Sequence, residues 1–318
     1  MQDLRRAADG AAPGSAWRDE NPGSHGGPGR RPVGGLGASE EPGPIAVVPP
    51  QLAKDLGHYR RVALLGGIYS NHLALEEALK IAAARGVDAV LALGDFGGFG
   101  PRPDRTLELL RGAGVAAIQG NYEQSLSGGA DDCGCGYTDP RDNHYAQISY
   151  DYTRAHTAPD HTRWMATLPG HIRFTIAGRR VLLCHGSPRK VNEFLWSSTT
   201  PAPFIRRLLH EHDADVIACT HTGIHWQRFI EDGRGVVNVG ALGRPANDGA
   251  THVWFTILEA SGPGLRAEHV PVPYDHPRLA GEMRAEGLPA EFVETVLTGW
   301  WTTCLEILPA RERGLGLH

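Results

Sequence analysis

The chain has 318 residues and a formal net charge of −5 at pH 7, with 31 lysines and arginines against 36 aspartates and glutamates. This length suits one large domain or two small ones, and a mildly acidic chain lacks the basic face that attracts nucleic acid. No run approaches the roughly 20 apolar residues of a membrane span, and no apolar segment typical of a secretory signal is present. Five cysteines, an odd number, suit a reducing compartment. We therefore expect a cytoplasmic protein without a nucleic-acid or membrane partner.

Residues 1–57 differ in composition from the rest of the chain. Glycine and proline make up more than a third of the first 50 residues, without a collagen period. Such a segment buries too little apolar surface to offset the entropy of ordering, so we expect a disordered tail. The folded domain is predicted at 58–275, and a helical extension at 276–318.

Alternating strand and helix patterns follow the tail. The apolar run at 62–68 (VALLGGI) ends in glycines and an isoleucine and predicts a buried strand, after which residues 71–85 show helical spacing. A second strand is predicted at 89–94, a helix at 104–111 and a third strand at 116–119. This order predicts parallel βαβ units with right-handed crossovers.

The rhythm changes after about residue 140. The later predicted elements are helices at 144–156 and 160–168, a hairpin at 173–184, a helix at 204–212, and strands at 216–219, 226–230, 235–239 and 252–258. The pattern favours an α/β architecture of two layers. Two helices are predicted after residue 277, and the stretch 292–308, which contains Trp300 and Trp301, is predicted to pack over the domain and to cover its pocket.

Polar side chains follow four of the predicted strands. They are Asp95, Asn121, His185 and His221. Because ligands bind beyond the carboxyl ends of strands in open α/β sheets, we expect these side chains to share one edge. A carboxylate, an amide oxygen and two imidazoles suit one Zn, Fe or Mn ion. An aspartate that caps a helix and histidines satisfied in the core remain the alternatives.

Five short motifs in this order resemble those of the calcineurin-like metallophosphoesterase superfamily. They are GGIYSN (66–71), GDFGGFGPRP (94–103), GNYE (120–123), LLCHGSPR (182–189) and THTG (220–223), and a glycine-rich stretch, VNVGALGRP (237–245), follows them. The resemblance covers roughly residues 61–259. It implies a two-layer β-sandwich flanked by helices, with the C-terminal helical extension added.

The departures from the family pattern concern one of its two metal sites. In the family, one ion takes an aspartate and a histidine of the first motif and the second histidine of the last motif, where this chain has Gly67, Tyr69 and Gly223. The ligands of the second ion are all present, as Asn121, His185, His221 and the bridging carboxylate Asp95. The resemblance therefore implies one divalent transition metal ion (Fe, Mn or Zn) in a mononuclear site.

Other residues near the motifs are candidates for supporting roles. The family's proton-donating histidine corresponds to Tyr122, a poor acid near neutrality because the reference pKa of tyrosine is about 10. Arg102 and Arg189 are candidate anion-binding residues, with a solvated basic surface as the alternative.

Two further features are candidates for rebuilding the missing half of the site. His72 and His225 lie near the altered motifs, although each is equally a surface histidine. Cys133 and Cys135 belong either to a structural loop or to a loop whose thiols face the pocket.

The sequence thus favours a metal-dependent hydrolase that acts on a phosphate-bearing small molecule. The alternatives are a non-haem iron enzyme of redox or lyase chemistry, because two histidines and a carboxylate also form that type of site, and a non-catalytic phosphate-binding protein. The oligomeric state stays open.

Overall fold

Two β-sheets packed face to face and flanked by helices form the fold. The computed structural model describes residues 54–230, 232–262 and 264–316, so most of the predicted tail lies outside the described residues. The elements of this part of the chain are β1 (Lys54–Tyr59), β2 (Arg61–Leu65), α1 (His72–Ala84), β3 (Ala89–Ala92), α2 (Pro103–Gly112), β4 (Ala116–Ala117), α3 (Asn121–Gly128), α4 (Pro140–Ala155), α5 (Pro159–Met165), β5 (Ile172–Ile176), β6 (Arg179–Leu183), α6 (Ala202–Glu211), β7 (Val216–Cys219), β8 (Trp226–Phe229), β9 (Gly235–Asn238), β10 (Val253–Ser261), β11 (Gly264–Val272), α7 (His276–Ala285), α8 (Ala290–Thr298) and α9 (Ala310–Arg313).

The strand order places the carboxyl ends of the central strands side by side. One sheet has the order β1-β5-β6-β7-β9-β8 and the other β11-β10-β2-β3-β4. Strands β2, β3 and β4 are parallel to one another, and so are β6, β7 and β9. The predicted fold class, a two-layer α/β sandwich flanked by helices, is confirmed.

The apolar runs of the central strands are buried on both faces. In β2, Val62 and Leu64 point into the core between the two sheets, whereas Ala63 and Leu65 pack in the layer beneath the helices. All four side chains are fully buried. This double burial explains why the central strands are continuous apolar runs and do not alternate with polar residues.

Three elements before residue 276 were absent from the sequence-based expectation. Strand β1 pairs in parallel with β5, so the described fold begins before the predicted boundary at residue 58. Strand β11 pairs with β10 along its whole length. Both are edge strands, with Lys54, Asp55 and His58 exposed in β1 and Arg266 and Pro271 exposed in β11, so neither shows a continuous apolar run. The third element, α3, is short, polar and rich in glycine at its ends.

The two helices predicted after residue 277 are present as α7 and α8, and α8 does not extend through the stretch 292–308. Helix α8 ends at Thr298 because Gly299 adopts a left-handed conformation with φ of 76°. Trp300 and Trp301 therefore lie beyond the helix. A further short helix, α9, follows at Ala310–Arg313. None of the helices in the described residues combines the length and the apolar composition needed to cross a membrane.

Candidate metal centre

Four predicted ligands meet at the carboxyl ends of the strands. Asp95 follows β3, Asn121 begins α3 just after β4, His185 follows β6 and His221 follows β7. One ligand atom from each of Asp95, His185 and His221 lies within 4.8 Å of the others, and these three residues are buried. Asp95 and Asn121 follow neighbouring parallel strands of one sheet, and His185 and His221 follow neighbouring parallel strands of the other, so face-to-face packing of the two sheets brings the pairs together.

Hydrogen bonds to carbonyl oxygens orient both imidazoles. His185 Nδ1 lies 2.7 Å from the Leu93 carbonyl oxygen, and His221 Nε2 lies 3.1 Å from that of Cys135. Because a carbonyl only accepts, each of these nitrogens carries a proton in the neutral ring. The other nitrogens, His185 Nε2 and His221 Nδ1, then present lone pairs to each other at 3.3 Å. Imidazoles held in this way are typical of metal ligands.

The side-chain amide of Asn121 is held in the same manner. Asn121 Nδ2 donates to the carbonyl oxygen of Cys133 at 2.8 Å, whereas Oδ1 is buried and has no hydrogen-bond partner. A buried carbonyl without a partner costs about 1–3 kcal/mol. An ion bound among these side chains would remove that cost, so the four residues fit a divalent metal.

The charges of the cluster favour a cation. Burial opposes ionisation of Asp95, but the neighbouring His185 and His221 together with a backbone hydrogen bond hold the pKa of that carboxyl below its usual value. Burial likewise lowers the pKa of His185, but the Asp95 carboxylate 3.2 Å away raises it above its ordinary value. His221 has a pKa lowered to about 3 by burial and by His185, and is therefore a neutral donor. These shifts describe an ionised carboxylate that attracts positive charge.

Glu123, which the sequence analysis did not single out as a site residue, positions the Asp95 loop. Its buried carboxylate accepts from the backbone N–H groups of Asp95, Phe96 and Gly120 at 2.7–2.9 Å. Burial and the charge of Asp95 raise its pKa to about 7. Asp95 itself has a left-handed φ of 56°, a conformation that costs energy in a non-glycine residue and persists where the surroundings enforce it. Glu123 supplies that constraint.

A cavity opens beside Asp95 and His221. Its wall is largely aromatic, with Tyr69, Phe99, Tyr122, Tyr137, Tyr145 and Phe292. The predicted C-terminal extension contributes Phe292, Thr303 and Cys304 to this wall. Among the described residues, the lining of this cavity includes one basic side chain, that of Arg244. Sequence reasoning missed Arg244, although it follows the end of β9 as the metal-ligand candidates follow their own strands.

Both predicted anion-binding arginines lie outside that wall. Arg102 donates to Glu282 and Glu286 of α7, at 3.2 and 2.5 Å. Arg189 pairs with Glu193 and lies over the ring of Phe204, lining a different small cavity beside His185. The carboxylates already balance both charges, so the predicted roles have no support from position.

The tyrosine at the position of the family's proton donor is buried. The hydroxyl of Tyr122 lies 2.9 Å from Ser149 Oγ. Burial raises the pKa of Tyr122 well above its ordinary value, the Ser149 bond lowers it in part, and the Asp95 charge raises it further. Tyr122 lines the cavity as a neutral hydrogen-bonding group.

Neither candidate histidine for rebuilding the lost site joins the cluster. His72 begins α1 and faces Glu282 at 3.8 Å. His225 packs against Trp254 and His269, with ring centroids 4.2 and 4.8 Å away. Neither lines the cavity beside Asp95.

The cysteine loop lies against the metal ligands. Cys133 and Cys135 are joined in a disulfide, so the alternative of free thiols facing the pocket does not describe this structure. Their carbonyl oxygens accept from Asn121 and His221, as described above. The loop therefore supports two ligands of the cluster through its backbone.

Fold and site together define an α/β protein with a buried Asp/His cluster at the strand ends that could hold a metal ion. The model of the calcineurin-like phosphoesterase superfamily domain matches residues 61–260, and the chain belongs to that superfamily. An uncharacterized protein of Methanocaldococcus jannaschii is 23% identical over 252 residues, which cover 75% of this chain and 98% of the relative.

Solved structures share the fold. A metallophosphoesterase from Sphaerobacter thermophilus is similar with a TM-score of 0.59 and 24% identity, over 76% of this chain and 100% of that chain. A hypothetical protein from Pyrococcus horikoshii is similar with a TM-score of 0.64 and 19% identity, over 76% of this chain and 99% of that chain. At these identities the likeness concerns the fold alone.

Proposed function

We propose that the protein is a phosphoesterase that hydrolyses a phosphate-bearing small molecule with a single divalent transition metal ion, Fe, Mn or Zn. Membership of the phosphoesterase superfamily supports the reaction class. The cluster of Asp95, His185 and His221, together with the buried and unpartnered Oδ1 of Asn121, is the observation that carries the proposal. When bound, one ion supplies Lewis acidity toward a phosphoryl oxygen.

The residues of the chain divide the remaining tasks. Asp95, Asn121, His185 and His221 hold the ion, and the buried environment strengthens electrostatic interactions with the substrate. The aromatic wall of the cavity excludes water from the rest of the substrate. Tyr122 stays protonated and donates or accepts a hydrogen bond without transferring its proton.

The first experiment measures ion content and turnover together. Protein purified without added metal is analysed by mass spectrometry, and release of p-nitrophenol from p-nitrophenyl phosphate and its diester is followed with Fe(II), Mn(II) and Zn(II). We expect about one ion per chain and metal-dependent release. His221→Ala should lose both, whereas His225→Ala, which changes a half-buried histidine outside the cluster, should keep its ion. Full hydrolysis by metal-free protein would disprove the proposal.

A second candidate function follows from Tyr122. Since its hydroxyl bonds Ser149 and its pKa is raised, the cavity lacks the acid that protonates a leaving group. A phosphate-ligand binding protein without turnover fits that observation. Binding of inorganic phosphate to the one-ion protein, with no release from any ester, would favour this function.

A further inference from the structure

We propose that Arg244 replaces the missing second ion as the cation that binds the phosphoryl group of a phosphate mono- or diester. The inference rests on the proposed function for the identity of the ligand, but its evidence is separate. That evidence is the set of side chains that surround Gly67, Tyr69 and Gly223, the positions where the family's first-motif and last-motif ligands are replaced.

Aromatic side chains fill the vacated ligand positions. A Cβ atom added to Gly67 would lie 2.5 Å from Cζ of Tyr69 and 2.8 Å from its hydroxyl oxygen, so the Tyr69 ring lies where a side chain at 67 would start. A Cβ added to Gly223 would lie 3.3 Å from Cη2 of Trp301, and Gly223 has a left-handed φ of 72°. Two of the three lost ligands are thus replaced by the rings of Tyr69 and Trp301.

The loop after β9 brings Arg244 to the same place. Leu242 N and Gly243 N both donate to the Gly67 carbonyl oxygen, at 3.0 and 2.9 Å. Gly243 has no room for a side chain, because an added Cβ would lie 2.1 Å from the Ile68 carbonyl oxygen. This close approach anchors the residue that follows, Arg244, directly beside the altered first motif.

The guanidinium group of Arg244 is held in place but its charge is not balanced. It lies 3.9 Å from the ring centroid of Trp301 and 5.1 Å from that of Phe99, and Nη2 donates to the Thr303 carbonyl oxygen at 2.7 Å. The residue is 7% exposed and its Nε has no hydrogen-bond partner. Among the residues that the structure describes, no carboxylate forms an ion pair with it. A buried cation without a counterion is unfavourable, so the cavity favours an anionic ligand.

The chemistry of the two cations is complementary. In a two-ion site the ions together stabilise the attacking and the leaving oxygens of the displacement. A guanidinium binds two phosphoryl oxygens through parallel N–H···O bonds and remains charged at any working pH, but it has no open coordination position for water. Water activation would therefore be left to an ion held by the Asp95 cluster, and Arg244 would bind and orient the anion in the same cavity.

A purely structural role for Arg244 is the competing explanation. Its bond to Thr303 and its stacking on Trp301 also tie the C-terminal extension to the domain. The two roles differ in one measurable respect. A structural arginine changes stability, whereas an anion-binding arginine changes phosphate affinity at unchanged ion content.

The test is calorimetric titration of inorganic phosphate into the full chain containing its single ion. We expect Arg244→Gln to weaken phosphate binding about 10- to 100-fold, the effect of losing a hydrogen-bonded charged partner, and Arg244→Lys to weaken it several-fold because the parallel bonds are lost. Ion content should stay at the wild-type value. Arg228→Gln is the matched control, because Arg228 also lies near a tryptophan, Trp226, and donates to carbonyl oxygens but does not line this cavity.

Wild-type phosphate affinity in Arg244→Gln would overturn the proposal, and so would loss of the ion in that variant. If Arg244→Gln does not fold, Arg244→Lys decides, with weaker phosphate binding in support and wild-type affinity against. The proposed function fails separately. If phosphate binding depends on Arg244 but no ester is hydrolysed, the anion site proposed here stands and the proposed hydrolytic function is wrong. If Arg244→Gln hydrolyses the ester with an unchanged KM, the hydrolytic function stands and the anion site is wrong.

Discussion

Replacement of Asn121 by leucine separates metal binding from ordinary packing. In the metal-free protein the change removes a buried oxygen without a partner, which relieves about 1–3 kcal/mol, but it also removes the Nδ2 bond to Cys133, of similar value. The two effects oppose each other, so we expect the metal-free stability of Asn121→Leu to lie within about 1 kcal/mol of the wild type.

Addition of the ion should then distinguish the two proteins. At a free ion concentration about 1,000 times the dissociation constant, binding stabilises the wild type by about 4.1 kcal/mol. If loss of the Asn121 oxygen weakens binding about 100-fold, the same concentration stabilises the variant by only about 1.4 kcal/mol. The difference of about 2.7 kcal/mol corresponds to a melting temperature lower by roughly 5–11 °C for a domain of this size.

Differential scanning calorimetry with and without ion measures this difference. Asn192→Leu is the matched control, since Asn192 Nδ2 also donates to a carbonyl of the cysteine loop, that of Gly134 at 2.7 Å, and its Oδ1 is also buried without a partner. Asn192 does not belong to the ligand cluster, so the control should gain the full stabilisation. Equal stabilisation of Asn121→Leu and wild type would show that the Asn121 oxygen does not bind the ion.

Three further outcomes are expected. Replacement of Cys133 and Cys135 by serine should weaken ion binding about 10- to 100-fold, because the carbonyl oxygens of this loop orient two of the proposed ligands, Asn121 and His221. Competition with a chelator measures the affinity for the ion, and an unchanged affinity would contradict this prediction. Burial lowers the pKa of His171 to about 4, so this histidine takes up a proton more readily in the unfolded chain than in the folded protein. The free energy of unfolding should therefore decrease as the pH falls from about 6.5 to 4, by at most about 3 kcal/mol. Urea unfolding of His171→Gln should show a shallower pH dependence, and an identical one would refute the reasoning. Gly66→Ala should destabilise by more than about 4 kcal/mol, because its Cβ would lie 1.7 Å from the Gly240 carbonyl oxygen; a wild-type melting temperature would contradict this.

The sequence alone predicted the features that depend on local pattern. The central strands appear as apolar runs because β2, β3 and their neighbours are buried on both faces. The ligand candidates could be recognised because each of them follows a strand directly. Parallel pairing brings Asp95 and Asn121 to the edge of one sheet and His185 and His221 to the edge of the other, whereas packing of the two sheets against each other brings the pairs together.

Tertiary structure decided the features that join distant parts of the chain. Arg102 resembles a site residue in its motif, yet its partners Glu282 and Glu286 come from a helix about 180 residues later. Arg244 looks unremarkable in sequence, but Trp301 and the Thr303 carbonyl enclose it beside the lost metal positions. An arginine binds whichever anion lies nearest, so its function depends on which distant carboxylates reach it. That choice is made by packing of the C-terminal extension and leaves no periodic pattern in the sequence.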